Sequence, residues 1–368
     1  MPPQPPGAPA EEPELVVLAD RSTHNPPADL SRESLSPGKR RDSESARPES
    51  PSKLIRRQQA SAAAAPPPAA EALPQTRVVD IFAPGMMRTP VFRIPSLLSL
   101  PAGVVLSFSE ARPGWHDSGT INLVMRRSTD DGQTWGTPSV VVDSSRLGGG
   151  SATCGNPTAV YDKETGVVWL LLCTNHADDA EWAIHARAGK ESRRVWVTSS
   201  TDQGHSWVEP EDLTSALKKP SWTWYATGPG CGVQLEGGRL LIPANHAEFV
   251  HEPDHPYLVE RKQSRMVAHT IYSDDHGATW QLGGVAAKHT NECCVAATAD
   301  GRVLLNARDW SGRFCRVVQR SSDGGRTWGA PRHDKALIEP RPQGCQGSMI
   351  SVPSGALFFA NPGRARAR

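Results

Sequence analysis

The chain has 368 residues, with 40 basic and 39 acidic side chains and a formal net charge of +1 at pH 7. That balance excludes recognition of nucleic acid by bulk charge, so an anion must be met by a few placed arginines. The 33 prolines and 32 glycines argue against long helices, and no apolar run reaches the ~18 residues of a membrane span.

Residues 1–76 are biased runs of Pro, Ala, Ser, Glu and Arg, such as PPQPPGAP and AAAAPPPAA. They bury too little apolar surface to offset the entropy of ordering, and a disordered extension is expected. It opens without a positive segment followed by an apolar one, so it does not read as a secretory signal. Ser36-Pro37 and Ser50-Pro51 are candidate phosphorylation sites, and the short basic patch Lys53–Arg57 is a candidate for peripheral membrane contact.

Residues 77–368 read differently. Short apolar runs such as GVVLSFSE, GVVWLLLCT, RVWVTSS and RVLLNAR recur about every ten to fifteen residues, each bounded by turn residues. That is the pattern of an all-β chain of antiparallel hairpins. One form, S-x-D-x-G-x-[TS]-W, occurs four times and ends at Trp135, Trp207, Trp280 and Trp328, at spacings of 72, 73 and 48 residues. A supersecondary unit repeated at blade length implies radial repetition, hence a β-propeller. Within the repeat, Asp130, Asp202, Asp275 and Asp323 are expected to close turns by accepting backbone N–H groups. The glycine supplies the positive φ of a hairpin, and the tryptophan is expected to pack between strands of its own blade.

Seven cysteines, an odd number without CxxC pairs, read as mostly free thiols or core residues, which favours a reducing compartment. No ligand cluster calls for a metal, and no motif calls for a cofactor.

Further segments appear in order: Phe92-Arg93-Ile94-Pro95, Glu110-Ala111-Arg112, Asp117 in a Gly/His/Ser loop, Tyr225-Ala226-Thr227-Gly228-Pro229-Gly230, Asn291-Glu292-Cys293 and Leu305-Asn306-Ala307-Arg308. Together with the repeat, which is similar to an Asp box, they resemble the sialidases (neuraminidases), over about residues 78–368. The resemblance implies a six-bladed propeller and an exo-α-sialidase that releases terminal sialic acid, with retention, from glycoproteins, gangliosides or oligosaccharides. It assigns the substrate carboxylate to Arg93, Arg308 and a third arginine, for which Arg368 or Arg366 is the candidate. A planar guanidinium suits a carboxylate because it pairs bidentately. Asp117 is then the acid/base, Glu292 the partner that activates a tyrosine nucleophile, and Arg112 the arginine beside the acid/base. Tyr225, Thr227 and Asn156 are candidate pocket residues.

The match stops short at one point. The chain's four tyrosines, Tyr161, Tyr225, Tyr257 and Tyr272, all precede Arg308, whereas the resemblance places the nucleophile well after it. The expectation is therefore a propeller incomplete at its C-terminus, and the alternative to an enzyme is a catalytically impaired propeller that binds sialylated glycans, or a fragment. An Asp-box scaffold of unrelated function is the third reading, disfavoured by the ordered motifs. Relatives of this kind occur in cytosol, in lysosomes and at membranes; the thiols and the N-terminus point to the cytoplasm.

Overall fold

Strands dominate the computed structural model, which describes residues 15–17, 78–249, 264–341 and 344–363. Alternating apolar runs pair with their sequence neighbours into antiparallel meanders, as short turns between β-branched segments dictate. Blade one is built from Val91–Ser99, Val105–Arg112, Asn122–Ser128 and Ser139–Val142. Blade two follows from Ala152–Tyr161, Val168–His176, Arg194–Ser200 and Glu211–Asp212. Blade three comprises Trp222–Thr227, Leu240–Phe249, Ser264–Ser273 and Gln281–Lys288; blade four comprises Thr290–Ala297, Val303–Asp309, Cys315–Ser321 and Arg332–Ile338.

A fifth sheet holds Ser348–Ser351, Leu357–Ala360 and, in parallel pairing with the latter, Leu15–Val17. The described residues thus show four blades and part of a further sheet. Leu15–Val17 departs from the expectation of a structureless residue 1–76 segment: LVV is a rare apolar, β-branched run within it, and it finds an edge.

The core lies between blades. Leu106, Phe108 and Met125 of blade one pack on Ala159, Val168 and Leu170 of blade two. Leu171, Val195 and Val197 of blade two meet Tyr225, Ile242 and Ile271 of blade three. Leu241, Ala268 and Tyr272 of blade three meet Cys293, Val295 and Leu305 of blade four.

The four repeats close their turns in one way. Asp130 accepts Thr134 N–H at 2.8 Å, Thr134 Oγ1–H at 2.6 Å and Ser128 Oγ–H at 2.7 Å. Asp202, Asp275 and Asp323 repeat the pattern with Ser206, Thr279 and Thr327. These bonds hold the carboxyls of Asp130 and Asp323 down at about 2. Three of the four tryptophans differ from the expectation and reach the preceding blade, while Trp135 stays on its own turn and donates to Gly132 O at 3.0 Å. Trp207 meets Phe108 edge-on at 5.7 Å, Trp280 meets Trp169 at 6.0 Å, and Trp328 donates to Gly284 O at 3.0 Å. The turn sits against its neighbour, so the nearest apolar surface belongs to another blade. At Gly277, φ is +91° and a Cβ would lie 2.1 Å from the Trp169 ring, so glycine is required twice over.

Candidate active site

The innermost strand of each blade loses register once. The breaks fall between Arg93 and Ser96, Gly155 and Thr158, Trp222 and Tyr225, and Thr290 and Cys293. Such bulges re-aim side chains. Two hold a proline, Pro95 and Pro157, which has no N–H to give a ladder. Beside them Ile94 and Asn156 take φ of 57° and 56°. Left-handed backbone at a β-branched residue is costly and collects at functional sites. Arg93, Asn156, Trp224 and Glu292 all lie at or inside these four breaks.

In blade one, Arg93 Nη1 donates to Asp117 Oδ1 at 2.8 Å and to Trp115 O at 3.2 Å. Arg112 Nη1 donates to the same Asp117 oxygen at 2.6 Å. Asp117 is 57% exposed and Arg93 34%, whereas Arg112 is 3% exposed. Arg112 is anchored from behind by Glu110, which takes Nε at 2.7 Å and also Nη2. Glu110 Oε1 in turn accepts the backbone N–H of Asn156, at 2.8 Å, across the blade boundary. Burial raises the Glu110 carboxyl, while Arg112 opposes that rise.

Asn156 is held on its other side by Arg193, whose Nη2 donates to Asn156 Oδ1 at 2.6 Å and whose guanidinium lies 3.9 Å from the Trp224 ring centroid. His185 stacks on Trp224 at 5.4 Å. A cation over an aromatic face is a firm contact once desolvated, and it makes one wall of Asn156, Arg193 and Trp224.

In blade four, Arg308 Nη1 donates to Glu292 Oε2 at 2.8 Å, and both side chains are largely buried. The Arg308 guanidinium lies 5.6 Å from the Trp310 ring. The strand carrying Arg308 is braced by a fully buried ion pair. Arg316 Nη1 donates to Glu339 Oε1 at 2.8 Å, and Arg316 Nε to Asn306 Oδ1 at 2.6 Å. Glu339 Oε2 accepts Asp309 N–H at 2.8 Å.

The structure therefore joins Arg93, Arg112 and Asp117 in one cluster and Glu292 with Arg308 in another. Two expectations are corrected. Tyr225 does not line a pocket: it is 0% exposed, its hydroxyl contacts His269 Nε2 at 3.0 Å, and it sits in the seam between blades two and three. Thr227 is equally buried, and its Oγ1 donates to Asn156 O at 2.6 Å, tying those blades together. Strand alternation and the preceding register break turn Trp224, rather than Tyr225, towards Asn156 and Arg193. Arg366 and Arg368 lie outside the described residues, as do Tyr257, the two Ser-Pro sites and Lys53–Arg57.

Glu110, Arg193, Arg316 and Glu339 carry much of this geometry; Glu110 was named only as part of the Glu110-Ala111-Arg112 segment, without a role, and the other three were not singled out from sequence. Glu110 had a signal: Leu106, Phe108, Glu110 and Arg112 share one strand face, and opposite charges continuing an apolar face mark a buried pair. Arg316 and Glu339 are 23 residues apart and had none.

Residues 108–368 match the BNR repeat-like domain family. Human Sialidase-4 is 34% identical over 72% of this chain and 55% of its own length, and mouse Sialidase-3 is 35% identical over 71% and 62%. A Bacteroides fragilis sialidase is 28% identical over 75% and 51%. The chain thus spans about half to three-fifths of these curated relatives. Among solved structures, the Hadza microbial sialidase Hz136 superposes with a TM-score of 0.65 at 27% identity, over 77% of this chain and 56% of that one. An intramolecular trans-sialidase from Ruminococcus gnavus shares the fold, with a TM-score of 0.61 at 19% identity over 78% and 81%.

Proposed function

The chain belongs to the sialidase family, and from that membership we propose that it is an exo-α-sialidase acting, with retention, on terminal sialic acid of glycoproteins, gangliosides or oligosaccharides. One observation carries the reading: Asp117 bridges Arg93 and Arg112 on blade one, while Glu292 pairs with Arg308 on blade four. Each cluster has one member at a strand bulge, Arg93 on blade one and Glu292 on blade four.

In this reading the substrate carboxylate takes Arg93 and Arg308, with Arg368 as the candidate third arginine of a six-bladed propeller. A carboxylate arriving at Arg93 replaces Asp117 there. Asp117 stays on Arg112 and turns to the glycosidic oxygen, which it protonates as the aglycone leaves; it then takes a proton from the attacking water. Glu292 accepts the proton of a phenol nucleophile. A neutral phenol avoids the repulsion that a carboxylate nucleophile would meet from the substrate.

A second reading has its own support. Tyr225 and Tyr272, whose hydroxyls contact His269 and Gln281, are committed away from Glu292. A propeller that binds sialylated glycans without cleaving them fits that commitment. The seven free cysteines fit a cytoplasmic site of action.

The test is hydrolysis of a fluorogenic sialoside by the full chain, with sialic acid binding recorded alongside, for the wild type, Arg93→Ala and Asp117→Ala. Loss of a bidentate guanidinium is expected to cost about 3 kcal/mol, roughly 100-fold in binding. Hydrolysis abolished in both variants supports the enzyme. Binding that depends on Arg93, without turnover, supports the glycan-binding reading, and folded protein showing neither sinks both.

A further inference from the structure

Lys218 lies on the segment between blades two and three, away from every motif described above. Its Nζ donates to Arg193 O at 2.8 Å, to Thr223 O at 3.4 Å and to Ser192 Oγ. Three acceptors occupy the three N–H bonds of an ammonium. Two of those acceptors neighbour the wall of the candidate site. Arg193 turns its carbonyl to Lys218 and its guanidinium to Asn156 and Trp224. Thr223 is the residue before Trp224, inside the register break of its strand. Lys218 therefore joins the backbone under both halves of one cation–π contact.

We propose that Lys218 is a positioning residue for sialic acid: by holding the carbonyls of Arg193 and Thr223 together, it fixes the wall of Arg193, Trp224 and Asn156 against which the sugar binds. The proposal rests on the sialidase reading for its ligand, though not for its geometry.

The tie is titratable. Burial pulls Lys218 down to about 8, and the Arg193 and Arg187 cations add to the fall, while Cys173 opposes it. The other charges around it are Arg194 and Asp212 of blade two, paired at 2.9 Å, and Lys219 on its own segment. A cavity of about 480 Å³, lined by Lys218, Lys219, Arg194, Asp212, Ser192 and Trp222 among others, gives the proton a route to solvent. An amine offers two N–H bonds in place of three and no charge, so the hold on the two carbonyls weakens as pH rises through 8. A lysine lowered in this way is held at a cost to folding while charged, a cost that falls as pH rises from about 8 towards 10.5. Removing Lys218 is therefore expected to leave the fold at least as stable, which a merely structural role would not do.

The experiment uses the full chain as wild type, Lys218→Met and Lys218→Arg. The indole N–H signal of Trp224, assigned with Trp224→Phe, is followed by NMR from about pH 6.5 to 9.5. Free sialic acid binding is titrated at neutral pH, and thermal unfolding is recorded. Expected are a Trp224 titration with a midpoint near 8 in the wild type only, and binding about fivefold weaker in Lys218→Met. Lys218→Arg should recover most of that binding, and Lys218→Met should not melt below the wild type. A Trp224 signal that is flat in the wild type, or unchanged binding in Lys218→Met, overturns the proposal. Should the wild type bind no sialic acid, the sialidase reading fails, while the Trp224 titration still decides whether Lys218 holds the wall.

Discussion

The Asp-box turns and the innermost strands of the same blades behave in opposite ways. Each turn is built from its own few residues: a serine, an aspartate, a glycine at positive φ and a hydroxyl that returns to the carboxylate. The innermost strands break their ladders, place Ile94 and Asn156 in left-handed backbone, and depend on distant partners such as Glu110 and Arg193. Local chemistry repeats well, and so the turns recur as scaffold. Re-aimed side chains need support from several elements, and that support is where charge is buried.

If this contrast is sound, the largest loss should come from the support and not from a turn. Glu339→Ala leaves Arg316 buried without its carboxylate partner and is expected to cost about 3–5 kcal/mol in urea unfolding. The double change Arg316→Met with Glu339→Leu should cost less than that single one, and a single-variant loss below about 1 kcal/mol would break the comparison.

Gly277→Ala probes a turn that also depends on another blade, as the turns of Trp207 and Trp328 do. The new Cβ would meet the Trp169 ring, and a loss of about 1–3 kcal/mol is expected. Wild-type stability there would mean that blades two and three pack more loosely than the Trp169–Trp280 contact indicates.

A pH series sharpens the buried side. His246 and His269 face each other Nδ1 to Nδ1 at 3.0 Å, and burial lowers both below the ordinary histidine value. Groups kept neutral in the fold contribute stability that is fully present above the unfolded value of about 6.5 and lost as pH falls below it. Stability should drop by about 1–2 kcal/mol per unit below that pH. Replacing both rings with glutamine should flatten the dependence, and an unaltered slope would remove the pair from the account.

The smallest effect is expected at an ordinary box carboxylate. Asp323→Asn exchanges a half-buried, hydrogen-bonded carboxylate and should cost about 0.5–1 kcal/mol near neutral pH, after screening by solvent. Because the folded carboxyl is lowered from 3.8 to about 2, that contribution is present above pH 3.8 and fades as pH falls towards 2. Denaturant unfolding at about pH 6 and pH 3 should show the variant and the wild type converging.

Much of the scaffold was legible in the sequence because its causes are local. Period-two apolar runs and the four S-x-D-x-G-x-[TS]-W turns indicate β-meanders repeated about a centre. Arg93, Arg112, Asp117, Glu292 and Arg308 stood out as an ordered set, and the structure brings them into two clusters. Tyr225 and Thr227 were misread for a definite reason. Facing follows alternation only while the ladder keeps register, and theirs slips between Trp222 and Tyr225.

The sequence by itself determined the blade pattern, the turn chemistry and the types of residue available to meet a carboxylate. Each depends on neighbours a few positions apart, where dihedral preference and strand period act. Only the tertiary structure decided which tryptophans bridge blades, that Glu110 and Arg193 support the two sides of Asn156, and that Arg316 and Glu339 brace the strand of Arg308. Those outcomes follow from burial. A charge drawn out of water takes whichever partner packing brings within hydrogen-bond reach, and that partner carries no fixed spacing in the chain.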